Sequence, residues 1–205
     1  YFFVKKVDMY KTDDITIIDN FLSKEDFDRI SNSIISPAWP WTCGPSISAN
    51  GYMMKEGDIE IEERLDRQLV NVIYNTSRPP QPFKSQDLVT EEYRLMMPIF
   101  KKLSLSSKNL ERVKVNLSLC KERTMCSGYH VDATPISNGK GMTAVYYLNT
   151  NNGKTIFRNG HECESVENRI VIFPNTWYHK PQYQTDTAVR VVINLNWLLD
   201  KYLNP

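Results

Sequence analysis

The sequence predicts an α+β protein that is mainly β, a β-barrel or jelly roll buttressed by N-terminal helices. Helical spacing and helix-capping residues occur in residues 1–109, whereas short segments of alternating apolar and polar residues fill residues 110–205. Strands that follow helices in this way fit a barrel or jelly roll packed against those helices. We therefore expect a single domain over residues 1–205, in which 1–109 form a mixed helical support region and 110–205 form the β core.

The first predicted elements are a short strand at residues 15–18 and a helix that begins after Ser23. Ser23 is a good N-cap, and Phe27, Ile30 and Ile34 follow at helical spacing. This spacing gives the helix one apolar face to bury.

Two further helices are predicted in the first half. Apolar residues recur every four positions at Ile61, Leu65, Leu69 and Ile73, and residues 91–103 form the other candidate, in which Pro98 predicts a kink or a break. The intervening segment 36–58 is rich in turn formers and fits either a mobile lid or an irregular cover over the core. Its two tryptophans, Trp39 and Trp41, are expected in that core or cover.

The second half reads as strands at residues 113–120, 143–149, 155–158, 169–173 and 188–197. The last strand alternates most clearly. One face carries Val189, Val191, Ile193, Leu195 and Trp197, and the other carries Arg190, Val192, Asn194 and Asn196. We expect the apolar face to pack against the N-terminal helices and the other face to present a cation and two amides to a polar interior.

Charge and cysteine content exclude several classes of partner. The 205 residues include 25 basic and 24 acidic side chains, so neither nucleic acid nor an anionic membrane is expected as a partner. No apolar run approaches the roughly 18 residues that span a bilayer. The four cysteines (Cys43, Cys120, Cys126, Cys163) form no C-x-x-C pair and are read as reduced thiols, with a cytoplasmic location as the expectation.

The motif that carries chemistry is His130-Val131-Asp132, followed 47 residues after Asp132 by His179. Two imidazoles and one carboxylate form the facial triad that holds non-haem Fe(II) and leaves coordination positions open. Residues i and i+2 of a strand share a face, so His130 and Asp132 can reach one metal. A bare H-x-D also fits a simple turn, but the residues after His179 favour the metal site.

Arg190 comes 11 residues after His179, and the turn formers in residues 181–186 allow a hairpin, which would place Arg190 in the same cavity on the neighbouring strand. A planar, always charged guanidinium suits a carboxylate. The cavity would therefore accept a dianionic acid, with one end on the metal and the other on Arg190.

These residues resemble the 2-oxoglutarate- and Fe(II)-dependent oxygenases, in particular the prolyl 4-hydroxylase-like branch. The resemblance covers roughly residues 110–198, in four ordered blocks: residues 130–149, 152–157, 169–174, and then His179 with Arg190. It implies a double-stranded β-helix, the cupin-like form of the jelly roll.

The resemblance also implies roles for particular residues. His130, Asp132 and His179 would bind iron, and Arg190 would bind the distal carboxylate of 2-oxoglutarate, with Tyr147, Thr155 and Asn196 as further cosubstrate residues. The implied cofactors are Fe(II), 2-oxoglutarate and O2, with ascorbate as an optional reductant. One departure concerns the strand before H-x-D, where prolyl hydroxylases often supply a tyrosine and this chain offers Asn116, Ser118 and Cys120.

The resemblance implies a dioxygenase that hydroxylates a C–H bond while 2-oxoglutarate and O2 become succinate and CO2. A prolyl or other side chain of a protein or peptide is the leading substrate, and a free amino acid or small metabolite is the alternative. A non-catalytic barrel that binds a small acid or a metal is a third reading. Nucleic-acid demethylation is disfavoured, because relatives with that activity usually carry a second arginine where this chain has Asn196. The remaining histidine, His161, is expected in a solvated turn.

Overall fold

The computed structural model describes residues 13–44, 67–76, 88–132 and 139–199. Two α-helices, α1 (Lys24–Ile35) and α2 (Met97–Leu103), and a 3-10 helix, Glu91–Met96, lie in the first half. The strands are β1 (Thr16–Ile18), β2 (Thr42–Gly44), β3 (Gln68–Asn75), β4 (Leu88–Val89), β5 (Leu110–Leu119), β6 (Gly141–Tyr147), β7 (Lys154–Phe157), β8 (Glu162–Glu164), β9 (Ile170–Pro174), β10 (His179–Gln182) and β11 (Val189–Leu198).

The strands form two antiparallel sheets. The major sheet has the order β1-β9-β6-β11-β5-β3-β2, with β4 paired to β3, and the minor sheet has the order β10-β7-β8. Isolated bridges from Cys126 to Gln182 and from His130 to His179 bring the segment between β5 and β6 onto the free side of β10. This two-sheet arrangement of mainly β structure confirms the predicted jelly-roll class, a double-stranded β-helix.

Helix α1 covers the outer face of the major sheet. Ser23 caps it by accepting a hydrogen bond from the Asp26 amide at 3.2 Å. Its residues Phe27, Ile30 and Ile34 belong to one buried cluster with alternate residues of β11 (Val191, Ile193, Leu195 and Trp197). The apolar face predicted for the last strand therefore packs against the N-terminal helical region, as expected.

The predicted helix over Ile61 to Ile73 is wrong where the structure describes it. Leu69 and Ile73 lie in strand β3, which pairs with β5, whereas Ile61 and Leu65 fall outside the described residues. The helix predicted at 91–103 does break, because 3-10 geometry gives way to α2 at Met97, with a proline in the first turn of α2.

The described part of segment 36–58, residues 36–44, acts as a cover. Trp39 is buried in the main core and Trp41 packs against it, as expected, while residues 45–58 lie outside the described ranges. Between the two sheets lies a second, smaller cluster that includes Val145, Tyr147 and Phe173. Within the described ranges, no helix combines the length and apolar character needed to cross a membrane.

Candidate active site

Strand pairing places the two candidate histidines directly opposite each other. His130 and His179 form an antiparallel bridge in which each amide donates to the other's carbonyl at 2.9 Å. Their ring centroids are 4.4 Å apart. Two residues 49 positions apart in the chain are thus neighbours because their backbones pair.

The three predicted metal ligands converge in a buried cluster. The ligand atoms of His130, Asp132 and His179 all lie within 4.8 Å of one another. The Nδ1 atom of His130 faces the Gly128 carbonyl at 3.4 Å, and that of His179 faces the Trp177 carbonyl at 3.0 Å. A carbonyl only accepts, so each Nδ1 carries the proton and each Nε2 lone pair remains for a metal.

Electrostatics keep His130 and Asp132 in the states that a metal requires. Burial, reinforced by His179, lowers the pKa of His130 to about 3, so its imidazole is neutral at physiological pH. Burial alone would raise the pKa of Asp132, but the nearby positive charges, chiefly the Arg112 guanidinium, outweigh it and hold that pKa below its usual range. The Asp132 Oδ1 atom accepts a hydrogen bond from Arg112 at 2.9 Å, whereas Oδ2 has no hydrogen-bond partner among the described residues and lies 3.7 Å from His179 Nε2. Two imidazoles, of which that of His130 is held neutral, and a buried carboxylate oxygen that accepts no hydrogen bond from a described residue fit a divalent cation.

Arg190 lines the same cavity as the three ligands. Its side chain is buried, with Nε donating to Ser165 Oγ at 2.8 Å and a terminal nitrogen donating to Thr155 Oγ1 at 3.3 Å. No carboxylate of the described residues pairs with it, and burial lowers its pKa. A buried guanidinium whose described hydrogen bonds go only to hydroxyls is a strong site for an external anion.

The other predicted cosubstrate residues support Arg190 to different degrees. Thr155 lines the cavity. Tyr147 is buried behind it, with its hydroxyl 2.7 Å from Thr155 Oγ1 and its ring under the Arg190 guanidinium, 5.4 Å from the ring centroid. Gly153 leaves room for the arginine, because a Cβ there would lie 3.0 Å from Arg190 Cδ and 2.8 Å from the Asn151 side chain.

Asn196 occupies a different position from the one expected of a cosubstrate residue. Its side chain is fully buried, and it is not among the residues that line the cavity. Its Oδ1 accepts from Arg112 Nε at 2.9 Å, and its Nδ2 donates to Thr143 at 2.9 Å. Asn196 therefore orients Arg112, which in turn holds Asp132.

Sequence reasoning missed Arg112 and Lys114. Both lie on β5 and line the cavity together with Asn116 and Ser118, whereas Cys120 is exposed. Burial, with a smaller contribution from Arg112, lowers the pKa of Lys114 to about 8. The available signal was the polar half of the β5 alternation, which faces the cavity rather than solvent.

The predicted hairpin between His179 and Arg190 is wrong. His179 lies in β10 of the minor sheet and Arg190 in β11 of the major sheet, so the chain crosses between sheets before it reaches Arg190. Both still reach one cavity, from its two walls. His161 is exposed and stacks on Trp177, outside the ligand cluster. The four cysteines are free thiols, as expected.

Neither a family model nor a curated protein matches the sequence. Solved structures do match. An oxidoreductase of the 2OG-Fe(II) oxygenase family from Burkholderia pseudomallei superposes with a TM-score of 0.59, at 10% identity, over 90% of this chain and 84% of that one. The fold is that of the 2-oxoglutarate- and Fe(II)-dependent oxygenases.

Two further oxygenase-fold structures agree. A prolyl hydroxylase from Trichoplax adhaerens, solved with a peptide of the hypoxia inducible factor oxygen degradation domain, gives a TM-score of 0.56 at 13% identity over 92% of this chain and 84% of that one. The non-heme alpha ketoglutarate dependent epimerase SnoN from nogalamycin biosynthesis gives 0.58 at 10% identity over 93% and 79%. At these identities the likeness establishes the fold, and the argument for activity rests on the site.

Proposed function

We propose that this protein is a 2-oxoglutarate- and Fe(II)-dependent dioxygenase that hydroxylates a C–H bond, with a prolyl or other side chain of a protein or peptide as its substrate. The observation that carries the proposal is the shared cavity. A buried His-Asp-His cluster lies on one side of it, and Arg190, which pairs with no described carboxylate, lies on the other. A metal alone would not need the arginine, and an acid alone would not need the cluster.

In this proposal His130, Asp132 and His179 hold the metal, and Arg190 holds the distal carboxylate of 2-oxoglutarate. Bound Fe(II) with 2-oxoglutarate and O2 supplies the oxidation that yields succinate, CO2 and a hydroxylated product. The chain's own contribution is positional. The two backbone carbonyls fix the imidazole tautomers, and Arg112 fixes one oxygen of Asp132 so that the other is presented to the metal.

The choice of a peptide substrate draws on the Trichoplax adhaerens enzyme, whose structure contains a peptide. A free amino acid or small metabolite is the second candidate, favoured by the additional cation that Lys114 brings into the cavity. Either substrate uses the same metal and cosubstrate sites.

The test is formation of succinate from 2-oxoglutarate by purified protein with Fe(II) and O2, with ascorbate added as reductant. We expect slow succinate formation even without substrate, abolished in His179→Ala and retained in His161→Ala, because only His179 belongs to the buried cluster. Equal behaviour of the two variants, or no succinate from the unaltered protein, would contradict the proposal.

A further inference from the structure

The charges of the cavity do not balance. The described residues that line it include three cations (Arg112, Lys114 and Arg190) and one carboxylate, Asp132. Fe(II) and dianionic 2-oxoglutarate cancel each other in charge, so the filled site would keep an excess of two positive charges, three minus one. Buried or partly buried cations require a compensating anion.

Two of the three cations already have assignments. Arg112 forms an ion pair with Asp132, N to O distance 2.9 Å, and Arg190 lies where the distal carboxylate of 2-oxoglutarate is proposed. Lys114 has neither an ion-pair partner among the described residues nor a proposed role in cosubstrate binding. No described residue accepts a hydrogen bond from its ammonium group, although that group lines the cavity and Asp132 is near enough to affect its pKa.

The register of β5 separates Lys114 from the cosubstrate anchor. Arg190 lies opposite Ser118, whereas Lys114 lies opposite Asn194, four residues along the strand. Four residues of an antiparallel strand correspond to about 13 Å. Lys114 is instead two residues from Arg112, the partner of Asp132, and therefore belongs to the metal end of the cavity.

Both carboxylates of 2-oxoglutarate are committed in the proposed function, one to Arg190 and one to the metal. The anion that meets Lys114 must then come from another molecule. Asn194 lies opposite Lys114 in the strand register and also lines the cavity, so it offers an amide donor on the same cavity wall. An ammonium and an amide together suit a carboxylate.

We propose that Lys114 binds a carboxylate of the primary substrate, so that the enzyme oxidises a carbon close to an acidic group. This inference rests on the proposed function, since it assumes that Fe(II) and 2-oxoglutarate fill the remainder of the cavity. The carboxylate comes either from a free amino acid or similar small acid, or from an Asp or Glu side chain near the oxidised residue of a peptide.

The first experiment compares acids with their uncharged analogues. The panel consists of free L-amino acids and their primary amides, together with N-acetylated, C-amidated prolyl peptides that contain either Glu or Gln. Stimulated succinate formation and a mass gain of one oxygen are measured with the unaltered protein. We expect members with a carboxylate to be oxidised and their amide partners to be poor substrates. Oxidation of free acids identifies a small-molecule substrate, and oxidation of Glu peptides alone identifies an acidic peptide.

The second experiment removes the charge. Lys114→Met keeps a chain of similar length, Lys114→Arg keeps the charge, and Lys108→Met removes an equivalent charge from an exposed position before β5. For the best acid, Lys114→Met should raise KM about tenfold to a hundredfold, as expected for loss of a hydrogen bond to a charged group. Lys114→Arg should restore much of the affinity, and Lys108→Met should match the unaltered protein. In calorimetry without O2, the same acid is titrated into each protein loaded with Fe(II) and 2-oxoglutarate. The Kd values of the variants should fall in the same order as their KM values.

The outcomes separate the two proposals. If the unaltered protein forms no succinate from 2-oxoglutarate, the proposed function itself fails. If it forms succinate but amides serve as well as acids, or no acid in the panel is oxidised, only the inference about Lys114 is overturned. A Lys114→Met variant whose KM rises for 2-oxoglutarate as much as for the acid would also overturn it, because Lys114 would then belong to the cosubstrate site.

Discussion

Replacing Arg190 with Met should change stability little but weaken cosubstrate binding strongly. Arg190 is 4% exposed, and its guanidinium makes two described hydrogen bonds, to Ser165 and Thr155. A hydrogen bond made by a charged group contributes about 1.5–3 kcal/mol, so the loss of both costs about 3–6 kcal/mol. Against this, burying a cation without a carboxylate costs several kcal/mol, roughly, and Met avoids that cost. The two contributions are of similar size, so the free energy of unfolding of the metal-free protein should change little.

Binding of 2-oxoglutarate should weaken strongly. The variant would leave one carboxylate of the cosubstrate buried without its cation, which typically costs about 2–5 kcal/mol. At 1.4 kcal/mol for each factor of ten, Kd should increase about thirtyfold or more. Urea unfolding without ligands measures the first effect, and calorimetric titration of the Fe(II)-loaded protein with 2-oxoglutarate, without O2, measures the second.

Arg123→Met is the matched control, because Arg123 is exposed and does not line the cavity. It should change neither quantity. An Arg190→Met variant with unaltered affinity for 2-oxoglutarate would refute the anchoring role. A loss of stability as large as the loss of binding energy would refute the claim that Arg190 is held in a costly state for an external anion.

Three other substitutions test the surroundings of the site. Arg112→Met should weaken Fe(II) binding about tenfold to a hundredfold, because Asp132 loses the group that orients it. Anaerobic titration with Fe(II) measures the affinity, and an unchanged affinity would contradict the orienting role of Arg112. Gly153→Ala should lower the free energy of unfolding by about 1–3 kcal/mol, because the added Cβ would press on Arg190 and neighbouring oxygens. Urea unfolding measures this change, and an unchanged free energy of unfolding would show that the site relaxes freely. Asn168→Ala should cost about 2 kcal/mol or more of stability, because Asn168 has a φ of 57° and its side chain forms three hydrogen bonds. Its metal affinity should remain normal, and a selective loss of metal binding would contradict a purely structural role.

The last strand was the most predictable element, and the second helix the least. In β11, apolar and polar residues alternate with a period of two over ten residues, which fits a strand and not a helix. This pattern correctly predicted which face carries Arg190 and which carries its apolar neighbours. In β3, a spacing of four residues between Leu69 and Ile73 fits a helix, but four is also an even number, so a strand puts both on one face as well. Pairing with β5 decided between the two, and no local pattern reports that pairing.

In the candidate site, too, the features that depend on local sequence were predictable and those that depend on strand pairing were not. The H-x-D motif and His179 identified the ligand cluster, because ligand chemistry depends on residue type. The crossing of the chain between sheets before Arg190 depends on the whole topology, so turn formers wrongly suggested a hairpin. Arg112 and Lys114 were missed because a strand with a polar face usually turns that face to water, and only the second sheet shows that it encloses a cavity.

The central claim is that one cavity binds a metal and a keto diacid together. Calorimetry without O2 measures the affinity for 2-oxoglutarate with and without Fe(II), in the unaltered protein and in His179→Ala. The account predicts one Fe(II) per chain and tighter 2-oxoglutarate binding when the metal is present, with both effects lost in His179→Ala. Equal affinity for 2-oxoglutarate with and without Fe(II) in the unaltered protein would contradict the account.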